Sequence, residues 1–168
     1  MTKAIDLPCQ VESFAGLSAE LLRLGKAVRF KARGNSMRPQ VCDGDILLVT
    51  PLWSSPLRIG EVVLCSHTTG RVVVHRVVRR QTSVGEESFL VQADRSTSPD
   101  GRITAESVHG RVISLERNGK RFDLRKPLPR LVGVLAALRA RMHLRYTPLI
   151  SSTIKVLKRV QIFSIFFS

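Results

Sequence analysis

Glu61-Val62-Val63-Leu64-Cys65-Ser66-His67-Thr68-Thr69-Gly70-Arg71-Val72-Val73-Val74-His75-Arg76-Val77-Val78-Arg79-Arg80 is the stretch that decides how this chain is read. Two runs dense in valine and other aliphatic residues, 61–67 and 71–80, are parted only by a Gly-containing break, with no helical period between them. Working outward, similar short segments recur at 28–33 and 45–50 on one side and at 88–93, 110–116 and 121–124 on the other. Parallel neighbours need a crossover of about a dozen residues or more, so a βαβ architecture is excluded. The expectation is a mainly β protein, α+β overall. An antiparallel coiled or barrel-like sheet would occupy residues 28–126, between a short helical segment at 1–27 and a basic helical tail at 127–168. In the first segment Leu17, Leu21, Leu24 and Val28 follow a helical spacing behind Ser18 as a cap. In the tail Leu131, Leu135, Leu138 and Met142 mark a helix stripe. After Pro148, a second segment puts Ile150, Ile154, Leu157 and Val160 opposite Lys155, Lys158 and Arg159.

The chain has 168 residues, enough for one domain with an appendage and too few for two large lobes about a cleft. Hydrophobic residues make up 43%, so a real core forms despite a net charge of +14. Cys9, Cys42 and Cys65 are odd in number and lack paired spacing, which argues against a disulfide-stapled module and reads as buried thiols. Cys65, His67 and Cys42 imitate a zinc set, but without the spacing of metal ligands; no metal or cofactor is expected. Residues 127–168 carry Arg130, Arg139, Arg141, Arg145, Lys155, Lys158 and Arg159 and no acidic residue, half of the net charge. Such a tail either packs as a helical pair on the β domain or lies on an acidic membrane surface. No apolar run reaches the ~20 residues that span a bilayer, and no secretory signal is visible at 1–31. The expected location is cytoplasmic, with peripheral contact at the inner membrane face as the open alternative. Nucleic acid is disfavoured as a partner: aromatic residues are 5% of the chain and are not interleaved with basic ones.

Three fragments carry chemistry. Gly34-Asn35-Ser36-Met37-Arg38-Pro39, followed by Asp43-Gly44-Asp45, places a serine in a tight turn, where its hydroxyl and its own backbone N–H can face the same space. In Val72–Val78, alternation sets His75 on the face of Val73 and Val77, opposite Val74, Arg76 and Val78. The loop after Leu90-Val91-Gln92-Ala93 carries Asp94 and Asp100, six residues apart, either able to orient an imidazole. Each fragment alone has a commonplace reading: an ordinary turn, a core histidine, an Asx turn at Pro99-Asp100-Gly101.

In this order and spacing the fragments resemble the signal peptidase superfamily, which also includes the LexA-like self-cleaving repressors. The resemblance rests on the Ser-Met-x-Pro box at Ser36–Pro39, Gly44-Asp45, His75-Arg76, the Asp94 to Asp100 loop and Gly110-Arg111-Val112, and covers about residues 28–117. One branch of that superfamily uses a Ser–Lys dyad; the archaeal and endoplasmic reticulum signal peptidases place a histidine at the lysine position. No lysine occurs between Lys31 and Lys120, and His75 stands where the base belongs. The resemblance therefore implies a serine endopeptidase with Ser36, His75 and Asp100 as its triad and Asp94 as a supporting carboxylate. The oxyanion would be held by the Ser36 N–H, with Asn35 as a candidate second donor. Two positions depart from the pattern: Ala93-Asp94-Arg95 replaces Gly-Asp-Asn, and Gly34 removes a hydroxyl that many relatives offer to the oxyanion. The implied substrate is a peptide or protein, bound extended with small side chains near the cut. The rival classes are a basic binding module without catalysis and a degenerate peptidase acting as a scaffold. His67 and His109 are alternative bases, both expected on the surface or in loops.

Overall fold

The computed structural model describes residues 5–6, 11–52, 55–67, 70–83 and 85–142. The segment containing Ile150, Ile154, Leu157 and Val160, and Cys9, lie outside the described residues. In chain order the elements are β1 (Ile5–Asp6), α1 (Val11–Arg23), β2 (Val28–Lys31), β3 (Ile46–Thr50), β4 (Val62–Ser66), β5 (Val72–Ser83), β6 (Glu86–Gln92), β7 (Gly101–Thr104), β8 (Val108–Arg117) and β9 (Lys120–Asp123). A second helix, α2, covers 127–142. All the strands form one sheet in the order β1-β2-β3-β8-β4-β5-β6-β7, with β9 against β8. Every pairing is antiparallel except the two-residue contact of β1 with β2.

The sheet coils because β8 is long enough to serve two sets of neighbours: Val108–Arg111 pairs with β4, and Ser114–Arg117 with β9. Register shifts at Leu48/Val49, Leu64/Cys65 and Val77/Arg79 add the local bends that coiling requires. Both faces of the central strands are covered, which is why β4 reads as a continuous apolar run. Val62 and Leu64 enter one core with Leu22, Phe30, Met37 and Leu115. Val63 and Cys65 enter the other with Val77, Phe89, Val91 and Ile103.

Both helices differ from the spacing-based expectation. α1 begins at Val11, and Ser18 is fully buried within it instead of capping it. It docks through Phe14, Ser18 and Leu22, Phe14 meeting Phe30 edge to face at 4.8 Å, while Leu17 and Leu24 face outward. Val28 belongs to β2, because the helix ends where the Gly25 and Lys26 N–H groups bond the Leu22 and Leu21 carbonyls. On α2 the predicted stripe of Leu131, Leu135, Leu138 and Met142 is exposed, and the buried positions are Gly133 and Ala137. A Cβ at Gly133 would lie 2.5 Å from the Gly60 carbonyl oxygen, so backbone-to-backbone approach, not leucine packing, seats the helix.

Candidate active site

Ser36 lies in the loop that joins β2 to β3. Gly34, at φ +88°, supplies the left-handed turn ahead of it and donates its N–H to Asp43 Oδ1 at 2.7 Å. The far end of the loop is clamped by Asp45, which is 2% exposed. Its oxygens accept from Arg117 at 2.7 and 2.8 Å and from the Cys42 N–H at 2.8 Å. Burial by itself would raise the Asp45 carboxyl; the hydrogen bonds from Arg117 and Cys42, with the Arg117 charge, outweigh it and hold the group below its ordinary range. Met37 plugs into the core, leaving its neighbour Ser36 exposed. The Ser36 carbonyl accepts the Arg95 N–H at 2.9 Å, which ties this loop to the one carrying both aspartates. Among the described residues no acceptor takes the Ser36 N–H.

His75 is placed by β5, opposite Val63 of β4, with 11% of its side chain exposed. Nδ1 comes within 3.2 Å of Asp100 Oδ2. The approach lies off the line of a well-formed hydrogen bond, and Nδ1 has no other partner. Asp100 is fixed independently: Oδ2 accepts the Ala93 N–H at 2.6 Å, and its own N–H donates to the Val91 carbonyl at 3.0 Å. Burial pushes the imidazole below the ordinary histidine range; Asp100 pulls it back up, and the neighbouring His67 adds to the lowering. A neutral imidazole backed by a carboxylate can accept a proton.

Ser36 and His75 line one groove of 780 Å³. Its apolar wall includes Phe14, Phe30, Met37, Leu64, Val72 and Val74, and Lys31, Arg33 and Arg71 also line it. Two strand edges border this space. β6 pairs with β5 only from Arg76 onward, and β1 pairs with β2 only at Val28 and Arg29, so Val72–His75 and Phe30–Lys31 each lack a second neighbour among the described strands. No hydrogen bond joins Ser36 to the imidazole among the described residues. Asn35 is exposed and is not part of the groove wall.

The sequence matches the Peptidase S24-like family over residues 9–113, from the start of α1 well into β8. The chain belongs to the Peptidase S24-like family. No curated protein matches it. The matched span of this S24-like domain contains Ser36, His75, Asp94 and Asp100.

Both oxygens of Asp94 are occupied by Arg76, so it makes no hydrogen bond to the imidazole, and its charge raises the His75 pKa from behind that pair, less than Asp100 does. Arg76 Nε and Nη2 donate to Asp94 at 2.6 and 2.5 Å, Nη2 also reaches Gln40 Oε1 at 2.6 Å, and Nη1 reaches the Gly60 carbonyl at 2.7 Å. Gln40 in turn donates to the Pro129 carbonyl of α2 at 3.4 Å. Arg76 is 1% exposed and braces the Ser36 loop, the Asp94 loop and α2 together. Strand alternation places Arg76 on the face opposite His75 and assigns it no part in the site. The signal that reading missed is that a guanidinium in a valine strand needs a carboxylate partner. The other histidines are also more enclosed than expected. His109 lies within β8, its Nε2 2.7 Å from Ser66 Oγ, and burial lowers its pKa. His67 follows β4 and presses Nε2 against the Asp100 carbonyl in a very short contact. Cys65 is an inert buried thiol, pushed up to about 12 by burial and then by the Asp100 charge.

Proposed function

We propose that this S24-like domain is a serine endopeptidase in which Ser36 is the nucleophile, His75 the general base and Asp100 the carboxylate that orients the base. The observation that carries this reading is a mostly buried imidazole, 3.2 Å from a carboxylate on one side and opening on the other into the groove that Ser36 lines. Asp94 is a structural carboxylate in this reading. Neutral His75 removes the Ser36 hydroxyl proton as Oγ attacks the scissile carbonyl, and the Ser36 N–H donates to the oxyanion. The imidazolium, stabilised by Asp100, gives its proton to the leaving amine, and water repeats the sequence on the acyl-enzyme. Catalytic hydrogen bonds tighten when substrate excludes water, which accommodates the open Ser36–His75 geometry.

The substrate is an extended peptide. The unpaired edges of β5 and β2 offer backbone donors and acceptors on both sides of the groove, and the aromatic and aliphatic wall takes apolar side chains. A volume of 780 Å³ accommodates more than the small residues implied by the sequence resemblance. The test compares protein N-termini by mass spectrometry in cells carrying the parent chain and Ser36→Ala. New termini that require the hydroxyl support the reading; identical termini oppose it.

A further inference from the structure

α2 carries its small residues inward and its large ones outward. Pro129, Gly133, Ala136, Ala137 and Ala140 face the β domain, with Ala137 0% exposed. On the opposite side Leu128, Leu131, Leu135, Leu138 and Met142 are 72%, 54%, 56%, 44% and 61% exposed. At 3.6 residues per turn these five form one stripe, about 20 Å long at ~1.5 Å per residue. Arg130 and Arg141 flank one edge of the stripe and Arg139 the other, all three exposed. A continuous exposed apolar patch of this kind marks an interaction surface.

Charge decides the occupant. From Leu124 to the last residue the sequence holds no Asp or Glu, so nothing on α2 answers its arginines. A second copy of the stripe would bring arginine rims together. The segment 143–168 carries Arg145, Lys155, Lys158 and Arg159 and is equally without carboxylates. Both occupants set like charge against like charge. An anionic bilayer surface satisfies both parts of the pattern, with leucines entering the acyl boundary and arginines reaching the headgroup phosphates.

We propose that the outward face of α2 is a peripheral binding surface for anionic lipid bilayers. No helix among the described residues is long and apolar enough to cross a membrane, so the contact is lateral. Gly133 seats α2 against Gly60 and Arg76, so lipid contact fixes the orientation of the groove relative to the surface. The proposal does not rest on the catalytic reading.

The test is vesicle flotation of the full chain with phosphatidylcholine alone and with phosphatidylcholine plus phosphatidylglycerol. Binding is expected only to the anionic vesicles and should weaken as salt rises. Leu131→Glu with Leu135→Glu should lower the partition coefficient at least about tenfold. Because both leucines are exposed, the unfolding temperature reports that the variant still folds. Arg130→Gln with Arg139→Gln should lower the partition coefficient roughly 30-fold at low salt, on the scale of ~1 kcal/mol for each of two surface cations. Leu135→Trp should show a blue-shifted emission over the Trp53 background with anionic vesicles only. Equal binding to neutral vesicles, no binding to either, or binding unchanged in the double-Glu variant would each overturn the proposal, the last assigning the contact to 143–168. Loss of self-association in the double-Glu variant, without any vesicle binding, would overturn it in favour of a dimer face.

Discussion

Asp94 and Asp100 lie six residues apart on one loop, and the difference between them teaches more about this domain than either alone. Asp94 is 6% exposed and meets a guanidinium with both oxygens. Asp100 is 26% exposed and holds one oxygen near an imidazole. A carboxylate locked in a fork–fork pair has no capacity left for a changing charge. One that neighbours a titratable ring from a partly solvated position can respond when the ring becomes positive. In the proposed mechanism the loop thus separates holding the site together from working in it. The Ala93 N–H bond to Asp100 closes the loop on itself, and the Arg95 N–H bond to the Ser36 carbonyl, beside Asp94, ties it to the Ser36 loop.

The comparison breaks if the two aspartates prove interchangeable. Asp100→Asn retains an acceptor for the Ala93 N–H but loses the charge that stabilises the imidazolium. Its kcat for peptide hydrolysis should fall by about 10³ to 10⁴, while chemical denaturation should show a stability change under about 1 kcal/mol. Asp94→Ala should do the reverse, since Arg76 would be left buried with its charge unanswered. We expect a loss of about 3 to 5 kcal/mol in denaturant unfolding, with the kcat of the remaining folded protein much less affected than in Asp100→Asn.

A smaller effect comes from α2. In Gly133→Ala the new methyl would stand 2.5 Å from the Gly60 oxygen and 3.0 Å from Arg76 Nη1. Overpacking of this kind costs about 1 to 3 kcal/mol, measurable by thermal unfolding, and should loosen the brace without altering how His75 titrates. The smallest effect is on pH. The proposed mechanism needs neutral His75, so the rate should fall as acid protonates it. Because burial lowers the ring's pKa, the acid limb should lie below the ordinary ~6.5. Asp100 acts to raise that pKa, so Asp100→Asn should move the His75 titration, read by NMR of the ring protons, to still lower pH. A shift upward would mean that the carboxylate does not face the ring.

The β architecture was legible because Val, Ile and Leu cluster in short runs bounded by Gly, Pro and Asp; all seven expected strands are present within a few residues of their ends. β7 was missed because Gly101-Arg102-Ile103-Thr104 offers a single core residue, Ile103, and pairs with β6 through its backbone. α2 was read inside out, since hydrophobic periodicity assumes that large residues point inward, whereas Gly133 and Ala137 let this helix approach by its smallest side. Of the site, the sequence offered Ser36, His75 and both aspartates. It could not separate Asp94 from Asp100, because the separation depends on where the guanidinium of Arg76 points. Asn35 was a reasonable candidate by adjacency alone; the turn at Gly34 leaves it outside the groove wall.

The central claim is that Ser36 is a nucleophile activated by His75. Intact-mass and peptide mapping after treatment with a fluorophosphonate, which adds covalently to activated serines, tests it most directly. The account predicts one adduct on the parent chain, located at Ser36, absent in Ser36→Ala and strongly slowed in His75→Ala. No adduct on the folded parent, or an equal labelling rate in His75→Ala, would contradict it.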